Sequence, residues 1–462
     1  MDERPNRVEP AIIVIFGVTG DLAQRYLLPA LYHLFKEHLL DEHTRIIGLT
    51  RQALTVDDLF GKVELCINEA DNLCDPVALK AMRDHSELLR FDPALGHDYD
   101  RLKRQLDDIE TQQGVCMNRL YYLSIPPDLF QTTVRFMGAA NLQESCVHGV
   151  GKARLLVEKP FGSNRATAEA LIETANQVFA ERQVFRIDHY LAKETVQNIL
   201  TFRRSNPIFA SIWDNRHIRA IDILASEKIG IEGRVNFYEG VGALRDLIQS
   251  HLLQLMAVTT MVLPHELNSD AIHASKQALL AAVEPAEASE AVRGQYNTYR
   301  QEVGNNESAT ETYASLRLRI DTDEWRDVPI SITTGKALSD KRTEIRVTFR
   351  DTLHHSRAVN VLTFRIQPDE GIDLRLRVKK PGYEHELQDA LMNFSYQQTF
   401  GDSSHPNAYE RVLVDAVKSD RTLFATSEEV LQSWRIIEPV LEAWQRSSDG
   451  LQPYASGSNG PE

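Results

Sequence analysis

Residues 11–23, AIIVIFGVTGDLA, narrow the choice of fold more than any other stretch of this chain. The run AIIVIFG is apolar and rich in β-branched residues, which predicts a strand buried on both faces, as in a parallel sheet covered on either side by helices. A glycine-containing turn follows at once. From Asp21 the apolar positions change to Leu27, Leu31, Leu34 and Phe35, the spacing of a helix with one buried face, and TRIIGLTR then reads as a second strand. Strand, turn, helix and strand in this order predict a parallel βαβ unit. Within GVTGDLA, Gly17 permits a tight turn, Gly20 lets backbone approach a pyrophosphate, and Ala23 is small enough for the helix to pack close to the strand. A purely structural turn is the alternative for the glycines alone, but the strand and helix on either side favour dinucleotide binding. The candidate cofactor contacts are Gly17, Thr19, Gly20, Asp21 and Leu22.

At the end of the second predicted strand an NAD-binding chain usually places an acid for the ribose hydroxyl. Here the residue is Arg51, whose guanidinium favours a 2'-phosphate and hence NADP; a surface arginine at a strand end is the plainer alternative. Two later runs, RLYYLSIPP and ARLLVEKPFG, are strand-like and end in prolines, as at the rim of a parallel sheet.

The second half reads differently. Alternating runs such as HIRAIDILAS, ASLRLRIDTD, TEIRVTFRD and VLTFRIQP predict mainly antiparallel strands with one face buried, and the helices QSHLLQLMAVTTMVL and AYERVLVDAVKS are suited to cover that face. The expected architecture is therefore an α/β dinucleotide-binding domain over residues 1–187, an α+β domain with a large sheet over 188–445, and a Ser-, Gly- and Pro-rich flexible tail over 446–462. With 66 acidic against 51 basic residues the net charge is -15, so nucleic acid is not an expected partner and an anionic ligand needs a local basic pocket. Nowhere do eighteen apolar residues run together, so no membrane span is expected. The four cysteines have spacings that fit neither a zinc site nor a dense disulfide framework, which points to a reducing cytoplasm.

Two further stretches carry chemistry. RIDHYLAKETVQ, residues 186–197, gathers Asp188, His189, Tyr190 and Lys193 within six positions; such a group is also common at a capped helix start. In RDLIQSHLLQLM, His251 lies among Leu247, Ile248 and Met256 on the apolar side of a predicted helix, the place of a core histidine or of a shielded base.

Nine blocks now decide between these readings. EKPFG, RIDHYLAKETVQN, SEKIGIEGR, RDLIQSHLLQ, RGQY, SATETYASLRL, TTGKALSDKRTEIR, RIQPDE and AYERVLVDAVKSDRTLF occur in the order found in glucose-6-phosphate dehydrogenases, and the chain resembles that family from about residue 11 to about residue 444. The resemblance implies a Rossmann-like first domain and oxidation of D-glucose 6-phosphate at C1 to 6-phosphoglucono-1,5-lactone with NADP. It implies His251 as general base and Asp188 as the acid that orients it. It implies His189, Tyr190 and Lys193 on the phosphate, Glu227 and Asp246 on sugar hydroxyls, and Lys336 and Lys341 as basic residues reaching the sugar. Lys159 is implied between cofactor and substrate, followed at Pro160 by an unusual peptide geometry. The family's sheet forms a homodimer, in some members a dimer of dimers, and no metal site is expected.

The chain departs from the family pattern in three places. Gln24, Arg25 and Tyr26 replace a basic triplet, Ser250 replaces the asparagine of QNH, and Ala192 replaces the glycine of YLGKE. The loss of basic residues at the sugar end keeps open another hexose 6-phosphate, such as an amino sugar phosphate, and some use of NAD. A catalytically silent sugar-phosphate-binding relative is the alternative from another class.

Overall fold

The apolar run near the start of the chain forms strand β1 (Ala11–Phe16), with all six side chains buried. The structure is a computed structural model and describes residues 8–71, 74–144, 152–351, 359–401 and 406–461. Beside β1 lie β2 (Arg45–Thr50), β3 (Ser86–Arg90), β4 (Asn118–Leu123), β5 (Ala153–Val157) and β6 (Val184–Ile187), all parallel, in the order β6-β5-β4-β1-β2-β3. Val14 of β1 faces Ile47 on one side and Tyr121 on the other. The strand order therefore reverses between β1 and β4, the point at which an open parallel sheet leaves a crevice at its carboxyl edge. This is the Rossmann-like arrangement.

The helix after β1 begins at Asp21, winds as a π-helix over Ala23–Leu27 and continues as α1 (Leu28–Lys36). Leu27, Leu31 and Leu34 are buried as their spacing predicts, while Phe35 is only partly buried and meets the His85 ring at 5.5 Å. The first compact unit comprises residues 1–162, 166–192 and 406–427. Its last segment returns from far along the sequence, which a linear division at 187/188 does not contain. That segment carries a helix, Ala408–Lys418, capped by the Asn407 side chain, and a short strand, Phe424–Ala425, that pairs antiparallel with β6. Cys116 is disulfide-bonded, a bridge that the expectation of a reducing compartment did not include.

The second unit comprises residues 163–165, 193–405 and 428–462. Its sheet contains β7 (Ile218–Ser226), β8 (Val292–Tyr296), β9 (Tyr313–Leu318), β10 (Ile330–Gly335), β11 (Arg342–Phe349), β12 (Val361–Gln367), β13 (Gly371–Lys379) and β14 (Leu387–Ser395), in the order β14-β13-β12-β11-β7-β10-β9-β8. Pairing is antiparallel except between β7 and β10. Buried and half-exposed residues alternate along β10 and β11, as expected for a sheet with one covered face. The cover includes α2 (Glu194–Ser205) on β12, and a π-helix, Leu244–Leu252, that packs on β7 and β10 and continues as α3 (Leu253–Thr260).

Around α3 stand α4 (Ser269–Ala282) and α5 (Ser427–Arg446). A buried polar group joins the three. Glu429 accepts from Lys276 at 2.9 Å and bonds His273 at 2.9 Å, and Lys276 also donates to Gln254 at 3.1 Å. Burial alone would raise the Glu429 carboxyl, but the Lys276 charge and His273 hold it below its ordinary range. The Arg203 guanidinium closes the carboxyl end of α3 by donating to the carbonyls of Val258 (3.0 Å) and Met261 (2.8 Å), with the Trp213 ring 5.4 Å away.

The expected flexible tail is instead part of this unit. Leu451–Tyr454 pairs in parallel with β8, and Tyr454 is buried. Ser, Gly and Pro made residues 446–462 read as mobile, yet one paired strand and one buried aromatic ring supply the anchorage that composition does not reveal.

Candidate active site

The turn after β1 is built so that no side chain fits. Gly17 has φ 77°, and a Cβ there would lie 2.3 Å from the Ser124 carbonyl oxygen. Gly17, Thr19, Gly20 and Arg51 line one cavity of about 210 Å³ at the carboxyl ends of β1, β2 and β4, together with Thr50, Ser124 and Pro126. Thr19 and Thr50 hydroxyls meet at 3.4 Å, and the Gln24 amide donates to the Thr19 carbonyl at 3.1 Å, which fixes the turn from both ends. Asp21 and Leu22 stand in the first turn of the helix, with Asp21 exposed and paired to Arg25 at 3.8 Å. Arg51 is exposed at the end of β2.

The carboxyl ends of β5 and β6 carry the next group. Lys159 follows β5, and the Lys159–Pro160 peptide is cis, the unusual geometry expected at that position. Beside it, Glu158 accepts a hydrogen bond from the Tyr122 hydroxyl at 2.5 Å. Burial, reinforced by the Asp188 charge, pushes the Glu158 carboxyl up to about 7 against the opposing effects of Tyr122 and Lys159. Asp188 directly follows β6, is 2% exposed, and accepts the Tyr190 amide at 3.0 Å. The stretch from Asp188 to Lys193 is a turn, and the helix starts only at Glu194. His189 stacks on Tyr409 (6.3 Å, 12°), and Tyr409 stacks on Tyr26 (5.5 Å, 20°). The phenol that replaces a basic residue at position 26 therefore ends a ladder of rings, with its own ring half-exposed.

The chain passes into the second unit between Ala192 and Lys193, so Asp188, His189 and Tyr190 belong to one unit and Lys193 and His251 to the other. Within the second unit, the register of β7 and β10 sets Gly335 beside Ser226, so the next residues, Lys336 and Glu227, emerge together. The Lys336 ammonium is bonded to Glu227, lies 3.5 Å from Asp246, and sits 5.4 Å from the Tyr238 ring. Asp246 and His251 share the π-helix, whose i→i+5 hydrogen bonding brings residues five apart toward one face. His251 is 1% exposed. Three of the residues singled out in the sequence, Glu227, Asp246 and Lys336, thus form one cluster, and a fourth, His251, is carried by the same helix as Asp246.

Lys193 and Lys341 form a second grouping. Lys193 donates to the Gln367 side chain at the amino end of α2. Burial pushes its ammonium down; Glu370 pulls it up, and the nearby Lys341 charge pushes it further down. Two lysines whose charges oppose each other at a helix amino end are suited to a doubly charged anion.

Sequence reasoning missed Gln367 and Glu311. Gln367 was visible only as part of RIQPDE; its partner is 174 residues away. Glu311 accepts the Leu244 amide at 3.0 Å and the Ala243 amide through its own carbonyl at 2.9 Å, so it caps the π-helix that bears His251. Its carboxyl is raised by burial. An acid in the loop just before β9 gave no signal, because its role depends on a helix start 67 residues away.

Comparison with known proteins covers both units. Residues 14–198 match the glucose-6-phosphate dehydrogenase NAD binding domain, and residues 200–462 match the glucose-6-phosphate dehydrogenase C-terminal domain. The glucose-6-phosphate 1-dehydrogenases of Gluconobacter oxydans (strain 621H) and Chlamydia pneumoniae are each 37% identical to this chain; the alignments cover 100% and 99% of it and 96% and 94% of theirs. A solved glucose-6-phosphate dehydrogenase in complex with its substrate glucose-6-phosphate superposes with a TM-score of 0.93 at 30% identity, covering 99% of this chain and 97% of that one. The glucose-6-phosphate 1-dehydrogenase of Mycobacterium avium gives 0.87 at 32% identity, covering 98% and 96%. With both of its units matched over nearly their whole length, this chain, an oxidoreductase, belongs to the glucose-6-phosphate dehydrogenase family.

Proposed function

We infer that the chain oxidises D-glucose 6-phosphate at C1 to 6-phosphoglucono-1,5-lactone, with NADP as the preferred acceptor. The observation that carries this reading is the cluster of Lys336, Glu227 and Asp246, with the buried His251 on the π-helix that bears Asp246. Carboxylates accept hydrogen bonds from sugar hydroxyls, and the ammonium between them offers a donor. His251 takes the proton of the C1 hydroxyl as the hydride leaves C1, and the exocyclic C1–O bond becomes the lactone carbonyl while the ring C–O bond stays single. Asp188 holds the imidazole in the tautomer that accepts this proton and steadies the imidazolium that results. His189, Tyr190 and Lys193 hold the 6-phosphate, with Lys341 adding charge; Lys193 supports this, because burial and, to a smaller extent, the Lys341 charge push its ammonium down, and a bound dianion would offset both.

The crevice on the first unit fits a dinucleotide. Gly17, Thr19, Gly20 and Arg51 line it, so that Arg51 would meet a 2'-phosphate, the helix beginning at Asp21 and Leu22 would set its amino end toward a pyrophosphate, and Lys159 would lie between cofactor and substrate. Bound NADP would supply the acceptor for the hydride. A homodimer formed through the sheet of the second unit is the expected assembly: Leu374 and Met392 pair across β13 and β14 on one face, and Met392 is 62% exposed.

The direct test follows the absorbance of reduced nicotinamide with purified protein. Glucose 6-phosphate with NADP is the expected best pair, and equal use of unphosphorylated glucose would overturn the phosphate assignment. Arg51→Ala should raise KM for NADP about tenfold or more with little effect on NAD. Equal losses with both cofactors would remove Arg51 from 2'-phosphate recognition.

A further inference from the structure

The carboxyl-terminal residues 451–461 close on the backbone of the loop that carries Lys336. Between β10 and β11 the chain runs through Lys336, Ala337, Leu338 and Ser339. Ala337 has φ 51°, a left-handed conformation that a residue with a side chain keeps only where its surroundings impose it. Two sets of hydrogen bonds do so. On one side, the Ala337 amide donates to the Ile229 carbonyl and the Leu338 amide to the Glu227 carbonyl, each at 2.9 Å. On the other, the Gly457 amide donates to the Ala337 carbonyl, and the Ser339 amide to the Ser458 carbonyl, each at 2.8 Å. The Ser339 hydroxyl adds a bond to Asn459 at 2.7 Å.

Lys336 itself is fixed at both of its peptide groups. Its amide donates to the Thr312 carbonyl at 2.8 Å, and its carbonyl accepts the buried Tyr454 hydroxyl at 2.7 Å. That hydroxyl also lies 2.8 Å from the Thr312 hydroxyl, so one phenol ties the Lys336 loop to the residue that precedes β9. The Tyr454 ring packs in the same buried cluster as Tyr238, whose ring lies near the Lys336 ammonium. Room for this approach comes from Gly294 in β8, where a Cβ would lie 2.6 Å from the Pro461 ring and 3.1 Å from the Tyr454 ring.

We propose that residues 451–461 form a strap that positions Lys336 for sugar binding, with the Tyr454 hydroxyl as its decisive contact. The strap touches the peptide of Lys336, not the ammonium, so it acts by fixing where a long, flexible side chain starts. With its base held, the Lys336 ammonium stays bridged to Glu227 and Asp246 and meets a sugar hydroxyl without first having to be ordered. The proposal rests on the reading of Lys336 as a sugar-binding residue. Tyr454 is accordingly a positioning residue.

Tyr454→Phe keeps the ring and removes the hydroxyl. The expected result is a rise in KM for glucose 6-phosphate of about fivefold to twentyfold, with kcat and KM for NADP nearly unchanged. A residue with a merely structural role would lower the melting temperature and leave KM for the sugar where it was, and that result would overturn the strap. Lys336→Met, measured in parallel, tests the reading beneath: no rise in its KM for the sugar would overturn Lys336 as a sugar ligand. A rise in Lys336→Met without one in Tyr454→Phe would overturn the strap alone. In the Lys336→Met background, Tyr454→Phe should add little, whereas an independent, fully additive loss would show that Tyr454 does not act through Lys336. Amide exchange of residues 451–461 in the unaltered protein gives a readout that needs no variant to fold: saturating glucose 6-phosphate should slow it, and an unchanged rate would overturn the proposal.

Discussion

Glu158 is a carboxyl that the fold keeps in the wrong ionisation range for a free acid. Its ordinary value of 4.5 is raised to about 7 by burial, with the Asp188 charge adding to the effect. Between these two values the folded chain holds a proton that the unfolded chain releases, so stability falls as pH rises through this window. Glu158→Gln keeps an acceptor for the Tyr122 hydroxyl and removes the ionisation. Relative to the parent, the variant should gain on the order of 2 to 3 kcal/mol between pH 5 and pH 8; urea midpoints that shift in parallel for both proteins across that range would sink this reading. His251 is the other decisive residue. His251→Asn retains size and some hydrogen bonding but cannot take up the proton, and turnover should fall by about 10² to 10⁴-fold with a much smaller change in sugar affinity. Near-normal kcat in this variant would take His251 out of the proton transfer.

Among the elements, the glycine turn and the π-helix differ in how far the sequence foretold them. Gly17 was legible because a strand, a turn and a helix so close together need a residue with positive φ, and the structure adds the steric reason, the Ser124 carbonyl 2.3 Å from where a Cβ would be. Gly17→Ala should lower stability by about 1 to 3 kcal/mol through strain and weaken dinucleotide binding; unchanged binding in a titration with the cofactor would show that the turn does not need this shape. The π-helix was not legible. Leu247, Ile248 and His251 read as the apolar side of an ordinary helix, whereas every residue from Leu247 to Leu252 is buried, Gln249 and Ser250 included, so the helix is enclosed all round. The wider winding depends on contacts from elsewhere: Glu311 holds its amino end, and α3 continues it toward the Arg203 cap. Side-chain periodicity records which face is buried, and it does not record a hydrogen-bond shift of one residue.

At the scale of the whole molecule, the sheet of the second unit leaves an apolar surface at its β14 edge. Ile372, Leu374 and Leu376 of β13 pair with Phe394, Met392 and Ala390 of β14 on one face, while Arg377 and Asp389 form an ion pair on the other. A sheet face of this kind is suited to self-association. Replacing Leu374 and Met392 by Asp should leave the fold intact, because both positions are at least partly exposed, and should shift sedimentation from dimer to monomer. A dimer that persists in the double variant would place the interface elsewhere.

The sequence by itself determined the elements whose burial follows a local pattern. The apolar run of β1, the helical stripe of α1 and the alternation in β10 and β11 are local patterns, and the hydrophobic effect acts on them in the same way whatever lies far along the chain. It also determined the family, because nine blocks in a fixed order carry more information than any one motif. Tertiary structure alone decided which charged residues meet. Glu227, Asp246 and Lys336 are far apart in the chain and come together through the parallel register of β7 and β10 and the winding of one helix. The same holds for the carboxyl-terminal strap, whose polar composition predicted mobility but whose backbone groups found partners in the Lys336 loop and in β8. Hydrogen bonds between distant segments depend on where the backbone is carried, and that position is set by the packing of the whole unit.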